Sequence, residues 1–232
     1  MSDPNAFSDQ ERAAVYRAIH ERRDVRSQFL SDPLPDEVLA RLLTAAHHAP
    51  SVGFMQPWRF VVIRDAKVRK RIHGLYLDAN QDAAASYGEA DGARAAYKKL
   101  KLAGILDAPV NLCIVCDSNT DRGRGLGRAT MPETAAYSTV CAVQNLWLAA
   151  RSEGVGVGWV SILHPERLRE TLGIPESVLP VAYLCLGYVS HFEEQPELAS
   201  KDWEQRADLA ELIHFEAFGE SDPERARALL GD

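Results

Sequence analysis

The chain lacks several features that would each have assigned it a class. Nowhere do its 232 residues contain the ~20 consecutive apolar residues that cross a bilayer, so no membrane segment is expected. Basic residues are outnumbered, 26 Lys and Arg against 33 Asp and Glu, a net charge of -7. A nucleic-acid binder needs a broad basic surface, so no nucleic-acid partner is expected. The opening residues Met1-Ser2-Asp3-Pro4-Asn5 have neither a basic start nor an apolar run. No signal peptide is expected there, which makes a cytoplasmic location the default.

Cysteines number only four: Cys113, Cys116, Cys141 and Cys185. Cys113 and Cys116 form a C-x-x-C inside the apolar run Val110–Cys116, and no second pair completes a zinc cage. On a strand, positions three apart face opposite sides, so these thiols read as buried packing groups. His47 and His48 are neighbours on a helix and do not share a face, so no metal is expected. No Ser-His-Asp or Cys-His set stands out in linear order. The run Gly123-Arg124-Gly125-Leu126-Gly127-Arg128 has the wrong spacing for a dinucleotide fingerprint and lies too far from the preceding strand; it reads as a flexible loop.

What remains is an ordinary globular composition, 46% hydrophobic and 25% charged, without repeat or internal linker. A single domain over 1–232 is expected. Ser8-Asp9-Gln10-Glu11 forms a capping box, and the helix after it is expected to bury Val15, Tyr16 and Ile19. A second helix carries Val38, Leu39, Leu42, Leu43 and Ala46 on one stripe. Strands are expected at Phe60–Ile63, 110–116, Trp159–Ile162 and 181–189, and further helices at about 67–80, 93–106, 134–152, 165–172 and 223–230. Residues 81–92 are expected to be mobile, making 81–106 a flap, and the tail from about 190 to wrap over the body or a partner. The 134–152 helix is apolar nearly all round and suits a core or a subunit interface. The fold class is α+β, a sandwich with a central mixed sheet between helices.

Within this frame Arg22-Arg23-Asp24-Val25-Arg26 is unusual. Three guanidiniums in five residues make a local anion trap, since arginine grips phosphate through paired hydrogen bonds. The alternative is a basic helix end facing the negative pole of the dipole. Asp24 complicates a phosphate site, because a carboxylate ~4 Å from a phosphate charge is repelled by about 4 kcal/mol at an effective dielectric of about 20. It must be bridged by the arginines, be protonated, or point away towards the rest of the ligand. Two other stretches could line a ligand. Ala49–Trp58 is a turn-rich loop carrying an amide, Gln56, and an aromatic, Trp58. Gly154–Gly158 alternates glycines that admit a backbone or a flat ring. Ser161 follows, a polar residue in an expected strand that needs a partner if buried.

Together these three stretches, with Ala142–Leu146, resemble the flavin-binding nitroreductase superfamily over about positions 8–220. Typical members resemble Arg-Arg-Ser-x-Arg at the first motif and carry Asn before Gln-Pro-Trp. Asp24 and Phe54-Met55 depart from that and are similar to the 5,6-dimethylbenzimidazole synthase family, as are Tyr137–Cys141 and Gly156–Ile162. The resemblance implies a homodimer with sites at the subunit interface. It also implies reduced flavin mononucleotide (FMN) as substrate, supplied by a separate flavin reductase. Dioxygen would fragment it to 5,6-dimethylbenzimidazole and erythrose 4-phosphate. Carried onto this sequence, Asp24 and Ser161 would be catalytic. Arg22, Arg23 and Arg26 would hold the phosphate and ribityl chain with Arg206 as helper, and Val25 would also belong to the flavin-binding set. Ser51, Met55 and Gln56 would line the ring, and Leu102 would cover it. The rival reading is a flavin-dependent NAD(P)H nitroreductase or flavin reductase.

Overall fold

The computed structural model describes residues 5–88 and 92–231, which divide into two compact units, Met1–Glu194 and Gln195–Asp232. The first unit is a helix–sheet–helix sandwich. Its order is α1 Asp9–Glu21, α2 Asp36–His47, β1 Trp58–Ile63, α3 Ala66–Ser86, α4 Ala93–Tyr97, β2 Val110–Cys116, α5 Thr134–Ser152, β3 Val155–Trp159, α6 Pro165–Leu172 and β4 Leu179–Tyr188. The second unit holds α7 Glu197–Ser200 and α8 Pro223–Leu230, with a 3₁₀ turn at Leu209–Leu212 between them.

The sheet, expected to be mixed, runs β1-β2-β4-β3 with every neighbouring pair antiparallel. The crossover through α5 does make β2 and β3 parallel to each other, as helical connections usually do. β4 then enters between them and reverses both contacts. Among the described residues, the one parallel pairing is an isolated bridge between Asp24 and Val157.

Alternation along the strands assigns each face. Val110, Leu112 and Ile114 of β2 and Ala182, Leu184 and Leu186 of β4 meet α2 and α5 in the larger core. Cys113, Val115, Tyr183 and Cys185 point the other way, towards Ile72 and Tyr76 of α3 and Leu168 of α6. Burial pushes the Cys113 and Cys185 thiols up to about 12, so both stay protonated at neutral pH. On that second face the Tyr183 hydroxyl donates to Asn111 Oδ1 at 2.7 Å.

Five sequence expectations change, the first being that the helix expected over 93–106 ends at Tyr97. Val15, Tyr16 and Ile19 of α1 are 46%, 55% and 43% exposed, because α1 touches the body through α5 and nothing among the described residues covers its apolar stripe. Tyr137 and Val140 leave part of α5 exposed as well. Helix α3 continues to Ser86, its alanines sustaining the helix where the pattern looked weak. The remainder of the expected mobile stretch includes 89–91, outside the described residues. Finally, the glycine run itself is the strand: β3 ends at Trp159, leaving Ser161 beyond it.

Candidate active site

The capping box at the start of α1 is present: Ser8 Oγ accepts from the Glu11 N–H, and Glu11 accepts from the Ser8 N–H. The helix ends with Arg22 as its C-cap, so 22–26 leaves it in extended form. That segment lies directly on β3. The Val25 N–H donates to Val157 O at 3.0 Å, and the Trp159 N–H donates to Asp24 Oδ1 at 2.9 Å. Gly158 makes this possible, since a Cβ there would sit 2.1 Å from the Val25 carbonyl oxygen and one on Gly156 would meet Val25 Cγ2 at 3.1 Å. Between a backbone and a flat ring, the glycines of this chain admit a backbone. Gly158→Ala is expected to cost about 2–3 kcal/mol, the upper end of overpacking, and to lift Arg22–Arg26 off the sheet. Urea unfolding would measure it, and an unchanged midpoint would refute the contact.

The three arginines do different things. Arg23 donates to the His20 and Arg22 carbonyls at 2.8 and 2.9 Å and to Glu194 O, so here the helix-end reading holds. Its Nε is buried without a partner among the described residues. Arg22 stacks over Trp147 with its guanidinium carbon 4.7 Å from the ring centroid, and the Trp147 indole N–H donates to Arg23 O. Arg26 donates to Asp24 Oδ2 at 2.7 Å, with side-chain exposures of 12% and 29% for Arg26 and Asp24. Asp24 is therefore bridged, the first of its three options. Burial raises its pKa above the ordinary 3.8, against the lowering effects of Arg26, the Trp159 N–H and Arg22.

Leu102 is half-buried against the second face of the sheet. Its main chain lies against the Tyr76 hydroxyl, which Arg26 also reaches electrostatically. Gly104 packs on the Phe29 ring and Arg26 O. Leu102 thus belongs beside the Arg26–Asp24 pair. Ser161 is exposed, and its hydroxyl makes no hydrogen bond among the described residues. It stands two residues past Trp159, the anchor of Asp24, so both candidate catalytic groups lie at the end of β3.

The loop 51–56 forms a separate cluster. Ser51 Oγ accepts from the Gln56 N–H at 3.1 Å, and the Val52 N–H donates to Ser138 Oγ of α5 at 3.0 Å. Met55 is fully buried with Cys116 and Ala135, so its side chain packs in the core, whereas Phe54 is 75% exposed. Phe54 and Gln56 adopt positive φ, +55° and +50°, which costs on the order of 1 kcal/mol or more each and concentrates at functional sites. The glycine loop, expected to be flexible, makes a 3₁₀ turn at Arg122–Gly125 that packs on Val52–Phe54. Arg122 donates to Gln56 Oε1 at 2.9 Å. Together the two loops wall an open cavity of about 800 Å³.

One chain does not bring these clusters together. Asp24 pairs at Val157, in register through Leu186 with Val110, while the loop ends before Trp58, in register with Cys116. Val110 to Cys116 is roughly 20 Å along the sheet, and β3 to β1 is three strand spacings, roughly 14 Å. Arg206 lies in the second unit, exposed, in the irregular stretch before the 3₁₀ turn. Trp147, Tyr76 and Arg122 escaped the sequence reading. Among the described residues no group of three or more His, Cys, Asp or Glu is placed to hold a metal, and no helix is long and apolar enough to cross a membrane.

Known proteins match this arrangement along most of the chain. A curated protein of Rhodospirillum rubrum named 5,6-dimethylbenzimidazole synthase is 47% identical over 185 residues, 80% of this chain and 86% of that one. A protein of the same name from Rhodobacter capsulatus is 36% identical over 200 residues, covering 86% and 95%. Among solved structures, oxidised iodotyrosine deiodinase bound to FMN and 3-iodo-L-tyrosine superposes with a TM-score of 0.69 over 88% of this chain and all of that chain, at 19% identity, a likeness of fold. The model of the nitroreductase family matches residues 19–188. On sequence, and on its helix–sheet–helix sandwich, the chain belongs to the nitroreductase family.

Proposed function

We propose that the protein fragments reduced FMN with dioxygen, releasing 5,6-dimethylbenzimidazole and erythrose 4-phosphate, the first of which serves as the lower ligand of cobalamin. The observation that carries this reading is Asp24. A carboxylate with a raised pKa sits inside an arginine cluster, supported by a backbone N–H. Its relatives' names point the same way.

The residues fit a flavin phosphate on one side and a ring on the other. Arg22 and Arg26 hold the phosphate and ribityl chain, and the buried, unpartnered Nε of Arg23 adds a donor. Flavin supplies both the carbon skeleton and the electrons that dioxygen accepts. Asp24 takes and returns protons at the ribityl carbon and ring. The Ser161 hydroxyl, already exposed, donates to the ring edge. Leu102 covers it, and Ser51 and Gln56 receive the pyrimidine side, with Met55 shaping their loop from below.

The protein acts as a homodimer in which the 51–56 loop of one copy completes the Asp24 cluster of the other. The apolar stripe Val15, Tyr16 and Ile19, with Tyr137 and Val140 of α5, gives the second copy a surface to cover. Arg206, from the tail, reaches the phosphate in that assembly. A separate cytoplasmic reductase supplies the reduced flavin.

The rival, a nicotinamide-dependent nitroreductase, needs an open ring face. Phe54 points to solvent and Met55 into the core, so neither side chain blocks such a face within one chain. Aerobic incubation with chemically reduced FMN, followed by chromatography, decides between them. Benzimidazole supports the proposal. Oxidised FMN alone, with sustained NADH consumption once nitroarene is added, overturns it.

A further inference from the structure

The arginine–glycine loop at 122–127 is the one sequence motif that the reading above leaves without a role. We infer that Arg122 is a positioning residue: it fixes the Gln56 amide so that its NH₂ group, and not its oxygen, faces the flavin ring. The inference rests on the proposed placement of the ring at the 51–56 loop.

Three observations lead there. Arg122 Nη2 donates to Gln56 Oε1 at 2.9 Å. A guanidinium has no acceptor, so whichever way an amide is drawn, the atom facing it must be the oxygen. The Gln56 NH₂ group donates to nothing among the described residues, and so it is a pair of N–H donors awaiting an acceptor. The loop that delivers Arg122 is held closely. A Cβ on Gly123 would come within 2.7 Å of Gly53 O and 2.9 Å of Met55 Cβ, and one on Gly127 within 2.7 Å of Val52 Cγ2. Glycines at these positions let two backbones touch, and Gly123 also takes a φ of +73°. The glycines therefore locate Arg122, Arg122 locates the amide oxygen, and the positive φ of Gln56 sends the side chain out of the loop.

The chemistry selected is an acceptor edge. The pyrimidine dione of a flavin presents carbonyl oxygens, which an oriented NH₂ satisfies and a carboxylate repels. The polarised amide also favours electron density at that edge, because the cation lies behind it.

Gln56→Glu separates this role from a merely structural tie. A carboxylate keeps the Arg122 partnership, as an ion pair, while replacing the outward donor with an acceptor. In the full chain, Gln56→Glu is expected to fold with an unchanged or raised Tm and to raise the FMN Kd about tenfold or more, the scale of one lost hydrogen bond that leaves an acceptor facing an acceptor. Arg122→Ala, which frees the amide to flip, is expected to weaken FMN severalfold. Wild-type FMN affinity in Gln56→Glu, with wild type itself binding, overturns this inference alone. Failure of the wild type to bind FMN overturns the underlying placement as well.

Discussion

Asp24→Asn is expected to lower benzimidazole release at least ~100-fold while FMN remains bound, the loss typical of removing a proton-transfer group. Asparagine keeps the shape and can still accept the Trp159 N–H through its amide oxygen. It can no longer take a proton, nor offer Arg26 an anion. Arg26 is thereby released towards a phosphate, and one negative charge leaves the neighbourhood of another, so FMN affinity should hold or improve. Product analysis under air and titration of FMN measure the two halves separately. Loss of binding together with loss of product would assign Asp24 a structural role and remove the proposed chemistry.

The pH dependence follows from the same carboxylate. Burial disfavours the ionised form, so the folded-state pKa lies above the ordinary 3.8. Asp24 therefore contributes stability that is complete below the ordinary carboxylate range and lost as pH rises through the raised folded value. As a base it works on the other side of that value. The acid limb of the product-formation profile should lie above that of an ordinary aspartate in the wild type and disappear in the residual activity of Asp24→Asn.

Much of this arrangement was legible because it depends on local sequence. The capping box, the α2 stripe and the all-apolar β2 each declare themselves within a dozen residues, and Arg22–Arg26 falls where the α1 signal stops. The errors share a cause, which is that they depend on what a residue meets elsewhere in the fold. Gly156 and Gly158 read locally as the approach to a strand, because nothing nearby in sequence shows that Val25 lies across them. Ser161 falls within the expected strand for the same reason. The 122–127 glycines suggested freedom, whereas contact with Gly53 holds them. Met55 sits next to two exposed or half-exposed neighbours and is nonetheless fully buried, because the positive φ at Phe54 and Gln56 turns it inward. The outward stripe of α1 is the converse case: its local pattern announces a buried face, yet the described residues leave that face exposed.

That unburied stripe and the separation of the two clusters lead to the second large effect. The Asp24 cluster borders one edge of the sheet and the Gln56 loop precedes the other, roughly 20 Å apart along the strands. In the proposed two-fold dimer, one site would take Asp24 from one copy and Gln56 from its partner. Two inactive variants should then rescue each other. Asp24→Asn disables the first half-site; Gly123→Val disables the second, because its side chain would enter the Gly53 carbonyl. In a mixed dimer one site receives both defects and the other receives none. Mixing equal amounts under exchanging conditions is expected to restore about a quarter of wild-type product formation, since about half the dimers are mixed and each has one intact site. A site built within one chain predicts no recovery, because every copy then carries a defect in its own site. Differently tagged copies show whether mixed dimers have formed, and mixed dimers without activity would place the whole site in a single chain.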